Sequence, residues 1–447
     1  MKRKDFLKKA AALSFAVPVL LQGRAATFPS ESKKQLTIPK KNKERMTIAM
    51  WDFSWLTDQG KGGSFEPIEQ RVAEAAERGY NTLRIDCFPS RILEKNTYFR
   101  RGYNPGEGDI LPCWGRVTTE FSCNPLQKLK QLADACRKHN IWLGLDSWEK
   151  GHMMGHQQSP LVLDDDRSII PVSQEENALR DFAHTWTKAL RIMREEGILE
   201  RAVWVAPMNE VPHFASRSLE SIRNISAHNK NEGGVRMDRN RLFNERLKLV
   251  NQWMGEEIKE EIQRENIPLS YSSLGAEEYA SLLPEIYDMV DVHFMPDVIR
   301  DQQEAAQLAA LTQGVSIEYS FQGYEKIDLK RYSELWDEAC RNHYAAMLKR
   351  THRYLVSALE HVTFPTGKRM QAVITESFGP CFWPDHPDVQ WEWYKQYNGD
   401  SARIAASMPF DGISLSNYAE PLFSLWDDID WHRNSNIFIL TTPPQGS

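Results

Sequence analysis

The sequence predicts an α/β fold, a single (β/α)8 barrel with long strand-to-helix loops and a truncated last helix. Three observations carry that expectation. From Arg45 onward, eight short apolar runs alternate with longer amphipathic stretches. Parallel strands require such crossovers, and being covered on both faces they read as apolar throughout. The surplus length falls in residues 88–124, 148–174, 210–240 and 377–400, all loops at the strands' C-terminal ends, where barrels of this kind build their sites. Gly60-Lys61-Gly62-Gly63 follows the first run without the G-x-G-x-x-G spacing that an open doubly wound sheet would place there.

Residues 1–27 read as an export signal. Lys2, Arg3, Lys4, Lys8 and Lys9 form a basic start, an apolar stretch covers 10–21, and the small residues Gly23, Ala25 and Ala26 offer a cleavage site. The run Arg3-Lys4-Asp5-Phe6-Leu7-Lys8 is similar to a twin-arginine motif with lysine in second place, the alternative being an ordinary secretory signal. The twin-arginine reading implies a bacterial protein exported to the periplasm or beyond, and either signal takes the chain out of the cytoplasm. No cysteine precedes Cys87, which argues against a lipid anchor. Residues 28–44, rich in Pro, Ser and Lys, read as a flexible lead-in.

The 447 residues carry a formal charge of -6. Residues 1–26 hold six basic groups and one acidic group, so their removal would take the charge to -11. An acidic chain without a basic block argues against a nucleic-acid partner. No apolar run reaches the roughly 18 residues that span a bilayer, and oligomeric state is not legible.

One domain is expected over 45–447. Its strands are predicted at 46–51, 81–87, 141–147, 202–208, 268–273, 289–294, 371–375 and 412–416, with helices at 66–78, 125–139, 175–196, 242–264 and 335–360. Leu126, Leu129, Leu132, Ala133 and Cys136 show the spacing of a helix laid on a sheet. Little chain follows the eighth strand, so the last outer helix should be truncated or missing. Six cysteines are too few for a disulfide-built fold, although Cys113 and Cys123 share one loop and could pair.

Polar residues at strand ends of a parallel barrel converge on one cavity. Strand four runs Val203-Trp204-Val205-Ala206-Pro207-Met208 into Asn209-Glu210, and strand seven runs Ala372-Val373-Ile374-Thr375 into Glu376. Two facing carboxylates are what glycosidic bond cleavage needs, one as acid and one as nucleophile or base.

On three motifs the chain resembles the clan A glycoside hydrolases, especially the cellulase-like barrels of glycoside hydrolase family 5. These are Asn209-Glu210-Val211-Pro212, Thr375-Glu376-Ser377-Phe378-Gly379 and Gly79-Tyr80-Asn81-Thr82-Leu83-Arg84-Ile85. The resemblance implies Glu210 as acid/base, Glu376 as nucleophile and Arg84 beside the nucleophile. It further implies a retaining hydrolase acting on an oligo- or polysaccharide without a cofactor, the alternative being a non-catalytic sugar-binding protein on the same barrel. Asn209 would reach a sugar 2-hydroxyl. His293 ends strand six, with Met295 where the family often has a tyrosine; Tyr418 or Tyr319 could supply that hydroxyl instead. Asn417-Tyr418 closes strand eight where the family commonly has tryptophan.

Strand alternation adds Asp86, Asp146, Trp148 and Asp52 as candidates for the cleft wall. Trp55, Trp114, Trp148, Trp383 and Trp426 fall in loops around the mouth and could serve as platforms for sugar rings. His152 and His156 are four apart, but Met153-Met154-Gly155 between them gives poor support for a metal site, and none is expected.

Overall fold

The computed structural model describes residues 45–99, 120–149, 172–211, 239–274, 277–315, 326–380 and 383–443. The expected export signal and lead-in, Cys113, Trp114, His152, His156 and Tyr319 lie outside them. Eight parallel strands form the sheet: β1 (Met46–Asp52), β2 (Thr82–Asp86), β3 (Trp142–Asp146), β4 (Ala202–Val205), β5 (Ser270–Leu274), β6 (Met289–Phe294), β7 (Gln371–Ser377) and β8 (Gly412–Ser414). Their hydrogen-bonded order runs β4-β3-β2-β1-β8-β7-β6-β5. A parallel bridge between Val205 and Leu269 joins β4 to the start of β5 and closes the ring. The (β/α)8 barrel is therefore as expected.

The outer layer comprises α1 (Ile68–Glu77), α2 (Pro125–His139), α3 (Val172–Glu195), α4 (Arg239–Ile262), α5 (Gln302–Leu311), α6 (Leu329–Glu360), α7 (Glu392–Ala406) and α8 (Ile429–Thr441). Helix α2 shows why these segments fold locally. The Asn124 side chain accepts the Gln127 N–H, Pro125 stands at the first helical position, and Asn140 ends the helix in the left-handed region. Its buried face includes Leu129, Leu132, Ala133 and Cys136. Inside the barrel, Gly144 of β3 leaves room for the Trp204 indole of β4, which any side chain at 144 would overlap.

At the strands' N-terminal end, Arg45 sends its guanidinium to five carbonyls: Phe410 at 3.1 Å, Ala406 at 2.8 Å, Met408 at 3.1 Å, Ile439 at 3.2 Å and Thr442 at 2.8 Å. These carbonyls cluster at the C-terminal ends of α7 and α8, where unpaired backbone oxygens and the helix dipoles favour a cation.

The structure departs from expectation in three places. The last helix is present, and its 13 residues exceed the ten of α1. Between β5 and β6 a six-residue 3-10 turn (Glu277–Leu282) replaces an α-helix, because only fourteen residues separate the strands. A small antiparallel hairpin, Thr97–Phe99 with Phe121–Cys123, stands in a segment expected to be loop. Cys123 is a buried thiol, and Cys113, with which it could pair, lies outside the described residues.

Candidate active site

Arg84 organises the C-terminal mouth of the barrel. Its strand places it on the inner face with no solvent exposure. The guanidinium donates to Asp52 at 2.9 Å and Glu376 at 2.8 Å, and also to Asp146 and to Asn209 Oδ1. Burial alone would lower its proton affinity, but Asp52, Asp146 and Glu376 outweigh that and raise it well above the ordinary value. Charge-assisted forks of this kind fix direction as well as attraction.

Glu376, near the end of β7, is fully buried. Its Oε1 accepts from Arg84, from the Asn209 amide at 3.3 Å, and lies 3.4 Å from His293 Nδ1. Its Oε2 has no hydrogen-bond partner among the described residues. Burial raises the carboxyl to about pH 7, Glu210 and Asp52 push the same way, and His293 and Arg84 oppose them.

Glu210, just beyond β4, has a positive φ of 56°, and Asp52, at the end of β1, has a φ of 34°. Non-glycine residues persist at positive φ when surrounding structure over-determines them, often at functional sites. The Glu210 N–H donates to Ser272 Oγ at 3.1 Å, and its Oε1 lies 3.2 Å from His293 Nδ1. Ser272 in turn donates to Asn209 Oδ1 at 2.7 Å. One atom each from Glu210, His293 and Glu376 fall within 4.8 Å of one another, so the two glutamates face each other. Carboxyl spacings of about 5–5.5 Å go with retention and wider ones of about 6.5–9.5 Å with inversion.

Arg84, Asn209, Glu210, His293, Glu376, Asp146 and Asp52 thus meet in one buried cluster. Asp146 joins through Arg84, and burial raises its carboxyl to about pH 6. The remaining candidates do other things. Asp86 does not face Arg84. Its carboxylate accepts the N–H of Phe88 at 2.7 Å and of Trp148 at 2.9 Å, tying two loop starts together. Trp148 is buried with its ring 5.4 Å from Phe53. Trp383 is fully buried and packs with Trp336, Trp393 and Tyr332. The Tyr418 hydroxyl accepts the backbone N–H of Trp383, bracing the loop after β7. Trp55 and Trp426 are core residues as well. Asn417 accepts the Ser377 N–H at 2.7 Å and donates to Met295 Sδ.

Three residues at the site were not singled out from sequence as site residues: Asp291, Ser272 and the hydroxyl of Thr375. Asp291 had a signal, since it stands two residues before His293 on the same strand face. Ser272 had none. A second acidic group, Asp301, Glu304 and His343, lies on the surface; Asp301 and Glu304 form the capping box of α5.

A family model described as sugar-binding cellulase-like matches residues 48–440. Among solved structures, a protein assigned as a glycoside hydrolase from Parabacteroides distasonis superposes with a TM-score of 0.63 at 20% identity, covering 90% of this chain and 95% of that one. That likeness is one of fold. A family 5 glycoside hydrolase from Streptomyces cattleya, in complex with GlcNAc, gives a TM-score of 0.45 at 11% identity, over 90% of this chain and 82% of that one. A family 5 mannosidase from Rhizomucor miehei gives 0.37 at 12% identity, over 89% and 93%. No curated protein sequence matches the chain.

Proposed function

The chain belongs to the sugar-binding cellulase-like family, and from that premise we propose that it is an exported retaining glycoside hydrolase acting on oligo- or polysaccharides, with β-linked sugars the expected class. One observation carries the reading. Glu376 has one oxygen held by Arg84 and Asn209 beside His293, while its other oxygen is buried without a partner among the described residues and a second glutamate stands opposite. That is the arrangement of a nucleophile: one oxygen orients the group and the other is left for an anomeric carbon.

In the first step Glu376 attacks that carbon, the glycosidic C–O bond breaks, and Glu210 gives its proton to the departing oxygen. In the second, Glu210 takes a proton from water, the water oxygen attacks the same carbon, and the bond to Glu376 breaks. Asn209 and Arg84 hold Glu376 in line throughout. The near-complete burial of both glutamates supports a pocket for a chain end or a short glycan rather than an open groove.

A non-catalytic sugar-binding protein is the second reading, favoured by the family's description and by the burial that raises the Glu376 carboxyl above the usual carboxylate range. A panel of aryl glycosides, assayed together with calorimetry on the same sugars, separates the two. Turnover that disappears in Glu376→Gln supports the enzyme. Sugar binding without turnover at any pH from about 5 to 8, the range bracketing that titration, supports the binder.

A further inference from the structure

Asp291 and His293 stand two apart on β6, both fully or almost fully buried, and the histidine ring is flanked by acids on both sides. Nδ1 lies 3.2 Å from Glu210 Oε1 and 3.4 Å from Glu376 Oε1. Nε2 lies 3.1 Å from Asp291 Oδ2, an oxygen that also accepts the Thr375 hydroxyl at 2.7 Å. A neutral imidazole has a single N–H; given to Asp291 through Nε2, it leaves Nδ1 a lone pair that faces Glu376 Oε1 and could only accept a proton held by Glu210. Only the doubly protonated ring meets every carboxylate as a donor.

We propose that Asp291 is a positioning residue that clamps His293 through Nε2 and keeps the ring an imidazolium, so that one Nδ1–H serves both glutamates in turn. The assignment of those turns rests on the double-displacement reading above. In the empty site Glu376 faces the ring as an anion or shares its proton. Once Glu376 is esterified it is neutral, and Glu210, having given up its proton, becomes the anion opposite Nδ1. The ring's charge then offsets whichever glutamate is ionised, and no proton leaves the histidine.

The groups facing the ring, or bonded to those that do, are Asp52 from β1, Arg84 from β2, Asp146 from β3, Glu210 from beyond β4 and Glu376 from β7, together with the hydroxyls of Ser272 and Thr375 at 3.3 Å from Nε2. Burial opposes a charged ring, but Glu376, Asp291 and Glu210 outweigh it and hold the proton well above the ordinary histidine range.

The test is nitrogen NMR of protein carrying labelled histidine, with the His293 signals identified by their loss in His293→Gln. Both ring nitrogens should remain protonated at about pH 8, above the ordinary value of about 6.5. In Asp291→Asn the ring should lose its second proton at least about tenfold more readily. Thr375→Val, which keeps the carboxylate, should leave the ring charged and shows whether a local packing change alone moves the titration. A neutral ring in the wild type at pH 7, or an unchanged titration in Asp291→Asn, overturns the proposal. This readout needs no turnover, so it stands apart from the glycosidase assignment. If turnover is found, Asp291→Asn should move the alkaline limb of the rate profile to lower pH and reduce kcat with KM little changed.

Discussion

Two arginines hold the barrel from opposite ends, and they do so with opposite kinds of partner. Arg45, just before β1, gives its hydrogen bonds to five neutral carbonyls, and burial lowers its proton affinity despite Asp411 nearby. Arg84, within β2, donates to Asp52, Asp146, Glu376 and Asn209, and its proton affinity is raised. The carbonyls around Arg45 belong to two helix ends and complete their hydrogen bonding. The mouth instead leaves oxygens over: Asp146 Oδ1, Asp291 Oδ1 and Glu376 Oε2 are buried without a partner among the described residues. Each such group costs about 1–3 kcal/mol. The contrast separates an arginine that closes a fold from one that holds reactive groups in a costly arrangement.

The sharpest way to test that contrast is to remove its reactive members. Glu210→Gln should lower turnover by about 10²- to 10⁴-fold, and Glu376→Gln should remove it entirely, both measured on the best aryl glycoside from the panel. Next in size is the loss of the mouth's cation. Arg84→Met leaves buried carboxylates unpaired and should cost about 3–5 kcal/mol in chemical denaturation. That loss should shrink at acid pH, where Asp146 and Glu376 take up protons. Arg45→Met should cost less, about 1–3 kcal/mol, and with a weaker pH dependence, because its acceptors do not titrate and the nearby Asp411 contributes a single charge. Equal pH dependence in the two variants would erase the distinction.

A smaller effect follows from Glu376 itself. Its folded value of about 7 lies above the ordinary 4.5, so the native state binds more protons than the unfolded chain between those limits. Stability then falls as pH rises through that window and stays lower above it. Glu376→Gln removes the penalty, worth at most about 3 kcal/mol. The variant should melt a few degrees higher than wild type at pH 8 and show a smaller gain at pH 5. Smallest of all, Trp383→Phe should lower stability without changing KM, since the ring packs among aromatics rather than against substrate; a large KM change would restore it as a sugar platform.

Much of this architecture was legible because strand and helix periods differ and parallel strands announce themselves as apolar runs. The two glutamates stood out since each terminates such a run. What escaped notice depends on partners that no spacing specifies. Alternation put Asp86 in phase with Arg84, yet its carboxylate turns to the backbone of residues 88 and 148. Trp383 sits in a loop by sequence and in a core by contact, because that loop folds back over α6 and α7. Asp291 hid inside an apolar strand, and Ser272 carries no charge to betray its place between Asn209 and Glu210.

The account rests on Glu376 making a covalent bond to sugar. Incubation with a slow 2-fluoro glycosyl fluoride of the accepted class, followed by proteolysis and mass spectrometry, reads that bond directly. The predicted result is one glycosyl group on the peptide holding Glu376, formed at a rate that parallels loss of activity. A label on another residue, or activity lost with no adduct and a product of inverted configuration, would contradict it.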